Sequence, residues 1–433
     1  MSSIAVIGGG IAGLSAAWSL SREHRVTVYE ADGRLGGHAN TVEVDDPLGG
    51  VPVDTGFIVY NEANYPNLVR LFEHLGVATE PSDMSFSVSM SAGAFEYQAR
   101  ALGLLAQPSN LVRPRYLRMV ADILRLARQA SEARPGPDVT TREFLDAGGY
   151  SEAFRRTFLL PVLACIWSSS LEAMMDSPAA ATIGFLDNHG ILDVLHRPRW
   201  RTVTGGSREY VRRLSKPLAA DARVHTPVAS VIRGSEGVRV VDARGGSETF
   251  DQVVFATHAD TTLKILGAGA TSAERSTLSA FAYERNRVVL HRDPSLLPRR
   301  RRVWSSWNYL TDARAGYERE GVSLSYWMNR LQNLRTRLPV VVTVNPAHEP
   351  NAVVSEHVYH HPRYDTRATE AQASIPSLQG VHRSWFCGSY HGYGFHEDAL
   401  RSGLQVAAAL GSPAPWWPSV PRPTALALAG DPR

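Results

Sequence analysis

A short apolar strand that runs into closely spaced glycines constrains this chain more than any other feature. Residues 3–7 read SIAVI, and Gly8, Gly10 and Gly13 follow with the spacing G-x-G-x-x-G. In a strand-turn-helix unit of this kind, the first glycine makes the turn, the second admits a pyrophosphate, and the third lets the helix pack on the strand. Glu30 follows the next predicted strand, 20 residues after Gly10, where a carboxylate can accept hydrogen bonds from ribose hydroxyls. The motif therefore predicts a dinucleotide bound at the helix N-terminus.

The segment that begins at Glu30 indicates which dinucleotide this is. Residues 30–38 read EADGRLGGH, with an arginine at position 34 and a double glycine at positions 36 and 37. This segment resembles the extended fingerprint of the FAD-binding flavin amine oxidase and phytoene desaturase superfamily. The resemblance implies that Arg34 lies near the pyrophosphate of FAD. It also implies that the double glycine lies close under the flavin, where side chains would obstruct a flat ring.

Four more segments resemble the same superfamily, in the same order along the chain. Residues 53–57 (VDTGF) resemble its D-x-G segment, and residues 225–231 resemble the strand whose valine meets the adenine. Residues 250–257 resemble its second dinucleotide signature, and residues 384–389 (SWFCGS) resemble its last strand and glycine turn. A helix predicted to begin at His396 would then aim its N-terminus at the flavin, where the helix dipole favours an anion.

FAD is accordingly the predicted cofactor, although two residues depart from the usual pattern of the superfamily. His258 stands where a glycine is common, and Ser389 stands where an aspartate is usual. The motif and the resemblance together assign the following residues to FAD: Gly8, Gly10, Ile11, Ala12, Gly13, Glu30, Ala31, Arg34, Gly36, Gly37, His38, Thr55, Gly56, Phe57, Val228, Ala256, Gly388, Ser389 and Phe395.

Titratable side chains close to the predicted flavin are the candidates for proton transfer. His391, Tyr393 and His396 lie between the last glycine turn and the last helix, and His38 follows the double glycine. An imidazole or a phenol at such a place can relay a proton or hydrogen-bond a substrate. These four residues form the predicted catalytic set, with a purely structural role as the alternative for each.

A second group of histidines invites a metal interpretation. His357, His360 and His361 lie close together in sequence. However, no cysteine or carboxylate falls at a ligand-like spacing from them. We therefore predict a surface cluster and no metal site.

The order of the cofactor segments predicts the domain organisation. At 433 residues the chain is long for a single core, so two packed domains are expected. The predicted fold class is α/β: a Rossmann-type FAD-binding domain with an interleaved α+β substrate domain, as in the resembling amine oxidases. The FAD-binding domain comprises residues 1–80, 200–260 and 381–411, and the substrate domain comprises 81–199 and 261–380. A Pro-rich tail is predicted at 412–433.

The net charge and the length of the apolar runs indicate which binding partners and which cellular location to expect. A net charge of +3 is too small to indicate nucleic-acid binding. The first strand begins at residue 3, which leaves no room for a signal peptide, and no apolar run reaches membrane-spanning length. The expected location is cytoplasmic.

Two basic segments predict peripheral contact with the inner face of a membrane. Residues 115–129 predict an amphipathic helix with arginines on one face, and residues 299–302 are four consecutive arginines. Basic segments of this kind dock on anionic lipid, whereas a solvated helix face is the alternative. The apolar face of the predicted helix comprises Leu117, Val120, Ala121, Leu124 and Ala127.

The substrate-domain segments bear on the reaction. Amine oxidases of the superfamily usually carry a lysine on a substrate-domain strand, and the equivalent residues 283–290 (YERNRVVL) have none. Segments such as 64–68 (NYPNL) and 326–332 (YWMNRLQ) are similar to the N-terminal oxidoreductase domain of plant cyclopropane fatty acid synthases and its stand-alone bacterial relatives. That resemblance implies modification of lipid acyl chains beside a lipid methyltransferase partner.

The resulting prediction is an FAD-dependent oxidoreductase that transfers a hydride at a C–H bond of a long apolar substrate, namely a lipid acyl chain. It would act as a desaturase or as a saturase. A flavin amine oxidase is one alternative. The other is a non-redox flavoprotein, either a double-bond isomerase or a scaffold for a lipid methyltransferase.

Overall fold

A five-stranded parallel sheet carries the glycine-rich turn. The computed structural model describes residues 1–99, 103–129, 135–136, 138–167, 174–188, 198–311, 323–363 and 365–417. From edge to edge, the strands of this sheet are β10 (Ala222–Arg223), β2 (Arg25–Tyr29), β1 (Ser3–Ile7), β14 (Gln252–Phe255) and β20 (Ser384–Phe386). Segments far apart in sequence thus meet in one sheet.

Two helices pack together beside this sheet and support the turn. Helix α1 (Ile11–Leu20) follows the glycines and is buried throughout, and the last helix, α14 (His396–Ala409), packs against it. Gly403 makes the close approach feasible, because a Cβ there would lie 2.2 Å from the carbonyl oxygen of Ala12. The α14 N-terminus, one of the predicted cofactor contacts, is therefore held at a fixed distance from the glycine turn.

A seven-stranded mixed sheet forms the second large layer. Its strands, from edge to edge, are β19 (Val353–Pro362), β15 (Tyr283–His291), β18 (Val341–Val344), β17 (Ser323–Trp327), β16 (Trp307–Thr311), β7 (Phe86–Met90) and β8 (Phe95–Gln98). Only β16 and β7 pair in parallel, and the other pairs are antiparallel. All seven strands come from the two segments that were predicted to form the substrate domain.

Three smaller sheets complete the strands of the described residues. They comprise β3 (Thr41–Val44) with β4 (Val51–Asp54), then β5 (Val59–Asn61), β9 (Trp200–Val203) and β6 (Thr79–Pro81), and finally β11 (Val228–Arg233), β12 (Val238–Asp242) and β13 (Ser247–Phe250). The remaining α-helices are α2 (Pro66–Leu75), α3 (Pro114–Gln129), α4 (Thr141–Ala147), α5 (Glu152–Phe154), α6 (Leu160–Trp167), α7 (Ala179–Asn188), α8 (Arg208–Ser215), α9 (Ala259–Leu266), α10 (Ser272–Leu278), α11 (Met328–Leu331), α12 (Thr366–Gln372) and α13 (Ile375–Leu378).

The residues just after Gly411 belong to the core rather than to a tail. Ala414 is buried, and the ring of Trp416 stacks on that of Trp18 with 5.8 Å between centroids. The predicted tail is therefore wrong for residues 412–417, since two tryptophans bury apolar surface there. Residues 418–433 of that prediction lie outside the described residues.

Helix α3 buries a different face from the one that its periodicity indicates. Tyr116, Met119 and Leu126 are buried, whereas Leu117 and Leu124 of the expected apolar face are 51% and 44% exposed. Asp122, which helical spacing places on the same face as the arginines, is buried. Its carboxylate accepts a hydrogen bond from the backbone N–H of Ser151 (3.0 Å) and pairs with arginines of the same helix. None of the helices in the described residues is both long and apolar enough to cross a membrane.

Candidate active site

A large cavity, of about 2220 Å³, extends from the glycine turn into the space beside the seven-stranded sheet. Among the residues predicted to bind FAD, only Gly13 and Thr55 do not line it. Among the four predicted catalytic residues, His38, Tyr393 and His396 line the cavity, and His391 does not. The predicted catalytic role of His391 is therefore not supported, because its ring packs beside Tyr390 instead of reaching the cavity.

The three glycines of the motif have different surroundings. A Cβ on Gly8 would lie 2.7 Å from the carbonyl oxygen of Ala256, and Gly8 has a positive φ of 110°. A Cβ on Gly13 would lie 1.9 Å from the carbonyl oxygen of Gly8. Gly10 has no atom within 4 Å of the corresponding point. The space in front of Gly10, at the α1 N-terminus, is thus a cradle that suits a pyrophosphate.

Glu30 is held at the end of β2 by backbone amides. Its Oε2 accepts a hydrogen bond from the N–H of Gly9 (2.7 Å), and its Oε1 accepts one from the N–H of Asp32 (2.8 Å). Desolvation raises the pKa of this carboxyl. The side chain lines the cavity beside the glycine turn, where it can receive ribose hydroxyls.

The segment after Glu30 runs along the glycine turn and is tied down by Arg34. The N–H of Gly36 donates to the carbonyl of Gly9 (2.8 Å). The guanidinium of Arg34 donates to the carbonyls of Gly37 (2.7 Å) and Ala39 (3.1 Å). Arg34 was predicted as a cation beside the pyrophosphate; it does line the cavity, but its hydrogen bonds shape the loop that carries the double glycine.

Asp54 and Thr55 support the wall from behind. The carboxylate of Asp54 accepts hydrogen bonds from the hydroxyls of Thr41 (2.6 Å) and Ser207 (2.7 Å) and from the side-chain amide of Gln332 (2.8 Å). Burial raises the pKa of Asp54 to about 6. These contacts join distant segments, so the D-x-G segment positions Gly56 and Phe57, which do line the cavity.

The N-terminus of α14 contributes aromatic side chains to the wall. The ring of His396 stacks on that of Phe57, with 3.8 Å between centroids and 9° between planes. Its Nε2 is hydrogen-bonded to the hydroxyl of Tyr210 (2.7 Å). Desolvation lowers the pKa of His396 to about 3 and raises that of Tyr393 to about 12. Both side chains are therefore neutral at physiological pH.

The glycine cradle, Glu30 and the double-glycine loop all suit a dinucleotide with a flat ring. His38, which follows that loop, also has an enclosed Nε2 without a hydrogen-bond partner in the described part of the chain. The family model for "Flavin containing amine oxidoreductase" matches residues 11–275. The chain belongs to this family. The predicted FAD cofactor, enzyme class and superfamily are thereby confirmed.

The fold of this chain is shared by several solved structures. It is similar to cyclohexylamine oxidase from Brevibacterium oxydans IH-35A (TM-score 0.69, 18% identity), to a fatty acid isomerase from P. acnes (0.67, 15%) and to putrescine oxidase bound to putrescine (0.68, 15%). Each comparison covers 94% of this chain and 98% of the other. The predicted α/β fold class is confirmed. A search of the curated proteins finds no match.

Three histidines, His38, His258 and His361, line the cavity beside the double glycine. The ring of His38 lies 5.6 Å from that of His361 and 6.3 Å from that of His258, between centroids. Desolvation lowers the pKa of His258 and of His361 to about 4 and lowers that of His38 well below its ordinary value. These imidazoles are neutral at physiological pH.

The predicted surface cluster is only partly correct, because all three histidines line the cavity, although His360 is mainly exposed and His357 and His361 are partly buried. Residues 357, 359 and 361 alternate along β19, so a strand assignment would have placed them on one face. No group of three metal-ligating side chains occurs in the residues that the structure describes.

A chain of hydrogen bonds determines which nitrogen of His361 carries the proton. The backbone N–H of Arg287 donates to Oδ1 of Asn345 (2.9 Å), and Nδ2 of Asn345 donates to Oδ1 of Asn286 (2.8 Å). Nδ2 of Asn286 therefore faces Nδ1 of His361 (3.2 Å). Because an amide nitrogen can only donate, Nδ1 must accept, and the neutral imidazole carries its proton on Nε2.

Asn286→Asp is expected to reverse this tautomer. A carboxylate at this position accepts a hydrogen bond from Nδ1–H, so His361 carries its proton on Nδ1 and its pKa rises. NMR of the protein labelled with ¹⁵N-histidine measures both quantities, and His361→Phe identifies the signal. An unchanged tautomer and pKa in the Asn286→Asp variant would show that the amide chain does not control His361.

Proposed function

We propose that this FAD-dependent oxidoreductase transfers a hydride between FAD and a C–H bond of a long acyl chain. The observation that carries the proposal is the size and lining of the cavity. A volume of about 2220 Å³ exceeds the roughly 300–1,000 Å³ of an ordinary ligand pocket, so a long substrate fits beside the cofactor. Beyond the glycine turn, apolar and aromatic side chains dominate the lining: Met84, Phe86, Tyr97, Leu104, Val120, Ile123, Phe158, Val162, Trp307 and Tyr326.

The charged groups of the lining also favour a neutral substrate over an amine. Glu30 and Asp32 lie at the dinucleotide end. Asp83 pairs with Arg330 (3.2 Å), and Glu356 pairs with Arg287 (2.8 Å). Each carboxylate in the described lining of the substrate part thus already has a cation, and an ammonium substrate would lack a counter-ion there.

The amine oxidase lysine is replaced by a different hydrogen-bonding arrangement. Asn286, on β15 where the lysine was sought, is buried and holds His361. With Nδ1 engaged, His361 keeps Nε2–H as a donor in the cavity wall. Bound FAD supplies a hydride acceptor or donor, while His361 and the hydroxyl of Tyr393 can hold or move the proton that accompanies the transfer.

The fold itself does not distinguish the two substrate classes. Proteins of this fold are described as cyclohexylamine oxidase and as a fatty acid isomerase, so the choice rests on the lining of this cavity. The similarity to the oxidoreductase domain of cyclopropane fatty acid synthases supports an acyl chain and a lipid methyltransferase partner.

Anaerobic absorbance of the flavin tests the proposal. Methyl-branched phospholipid is expected to bleach the oxidised protein, or unsaturated phospholipid to reoxidise the chemically reduced protein, and a polyamine is expected to do neither. Val162→Phe, which fills the apolar part, should retain FAD and lose the response to lipid. Bleaching by the polyamine alone would establish an amine oxidase. No response in either direction would exclude hydride transfer with these lipids and favour the isomerase.

A further inference from the structure

A surface patch beside the cavity consists of apolar and basic side chains. In the described residues, fourteen large apolar side chains are exposed, and five of them lie between positions 105 and 124. Val112 is 83% exposed, far more than an isolated surface residue requires. We define the docking patch by its exposed apolar residues and arginines: Leu105, Leu111, Val112, Arg115, Leu117, Leu124, Arg301 and Arg302.

We propose that the docking patch binds the surface of an anionic phospholipid bilayer. Residues 103–129 contain five arginines and one acidic residue, Asp122. That carboxylate is buried beside Arg118 and Arg125, so the exposed charge of the segment is positive. Apolar side chains next to unopposed arginines match a bilayer interface that is apolar within and negatively charged at its surface.

The two basic segments that are distant in sequence meet at one turn. Arg113 donates to the carbonyl of Ala94 (3.1 Å), and Arg300 donates to the carbonyl of Gly93 (2.7 Å). Both carbonyls belong to the connection between β7 and β8. Arg301 and Arg302, next to Arg300, are exposed and have no ion pair within the described part of the chain. The positive charge of the docking patch therefore comes from both segments.

The docking patch and the cavity share one helix. Val120, Ile123 and Leu124 of α3 line the cavity, while Leu117 is exposed on the same helix and Leu105 is exposed beside cavity-lining Leu104. A bilayer bound to the docking patch would thus lie next to the wall of the substrate space. Entry of a lipid by this route rests on the proposed function, whereas binding to the bilayer does not.

Vesicle flotation of the FAD-loaded protein, without turnover, tests the docking patch. Vesicles of phosphatidylcholine with phosphatidylglycerol are expected to retain the protein at least tenfold better than phosphatidylcholine alone, and less well at high salt. The triple variant Leu111→Ser/Val112→Ser/Leu117→Ser should lose this binding. A matched control removes three exposed apolar side chains elsewhere and should bind like the wild type: Leu48→Ser/Leu338→Ser/Val353→Ser.

A second pair of variants tests the charges of the docking patch. Arg115→Gln/Arg301→Gln/Arg302→Gln is expected to weaken binding at least tenfold. The exposed arginines of the matched control lie outside the docking patch, and their removal should have little effect: Arg239→Gln/Arg244→Gln/Arg363→Gln. Flavin content and thermal midpoint confirm that each variant is folded. Equal binding by the docking-patch and control variants, or no binding of the wild type to anionic vesicles, would overturn the proposal.

Discussion

Replacing Gly10 by valine is expected to abolish FAD binding while the protein stays folded. The backbone of Gly10 is in the extended region (φ −74°, ψ −179°), which valine adopts readily. No protein atom lies within 4 Å of the added Cβ, so the side chain enters only the space predicted for the pyrophosphate. We expect the affinity for FAD to fall at least about 100-fold, which is about 3 kcal/mol.

Gly13→Ala is expected to lower the stability of the fold rather than to block the FAD site directly. Its Cβ would lie 1.9 Å from the carbonyl oxygen of Gly8, so α1 and β1 must move apart at a cost of about 3 kcal/mol. The measurement is the thermal midpoint with and without added FAD. FAD should raise the midpoint of the wild type and not that of Gly10→Val, and Gly13→Ala should begin from a lower midpoint.

Gly269→Val is the matched control for Gly10→Val. Gly269 also has no atom near its Cβ position, but it lies outside the cavity. This variant should retain the stabilisation by FAD. If Gly10→Val were still stabilised by FAD to the same extent as the wild type, the cradle in front of Gly10 would not hold the pyrophosphate.

The contrast between these glycines shows why the dinucleotide site could be predicted from the sequence. The turn, the helix N-terminus and Glu30 act over a few residues or across neighbouring strands, so a local pattern specifies their geometry. The same holds for α14, whose start at His396 was predicted correctly. Local motifs do not, however, specify which side chain turns toward the cavity, and the failure of His391 to line it is a result of tertiary packing.

The position of His361 and the buried face of α3 depend instead on contacts between segments that are distant in sequence. The role of His361 requires β19 to lie beside β15 in the register that pairs Tyr359 with Asn286, which periodicity cannot provide. Likewise, Leu117 is exposed because of what α3 packs against, although its spacing indicates an apolar face. Burial in such cases is a property of the whole fold.

Acidification is expected to unfold this protein near pH 5, where many proteins of its size remain folded. Six histidines have a folded-state pKa well below the ordinary value, in each case chiefly through desolvation. The values are about 4 for His258, His291 and His361 and about 3 for His391 and His396. The neutral form is therefore the one that the fold accepts.

The sign of the effect follows from proton uptake. In the unfolded chain these histidines bind protons below about pH 6.5, whereas the folded chain excludes them, so stability is complete above that pH and falls as the pH is lowered. Each histidine with a folded pKa of 4 or less costs about 2 kcal/mol at pH 5. Asp54 and Glu397, whose pKa values are raised by burial to about 6 and about 7, act in the opposite direction, as do Glu30 and Asp398, whose pKa values burial also raises. Together these carboxyls offset part of the loss.

The net loss is comparable to the whole stability of a typical domain, about 5–15 kcal/mol. Denaturant unfolding of the FAD-loaded protein at several pH values between about 7 and 5 measures it, with tryptophan fluorescence as the signal. Stability that stays constant over this range would contradict the prediction.

His291 provides the sharpest variant because it lies away from the cavity. It is fully buried, its Nδ1 accepts a hydrogen bond from the N–H of Asp293 (3.1 Å), and its Nε2 is bonded to Thr343 (2.8 Å). His291→Gln removes one of the excluded protons, so the slope of stability against pH should decrease by about one proton, or about 1.4 kcal/mol per pH unit. His360→Gln, at an exposed position, is the matched control for the substitution itself. The protein would thus depend, for its own stability, on keeping its buried imidazoles unprotonated.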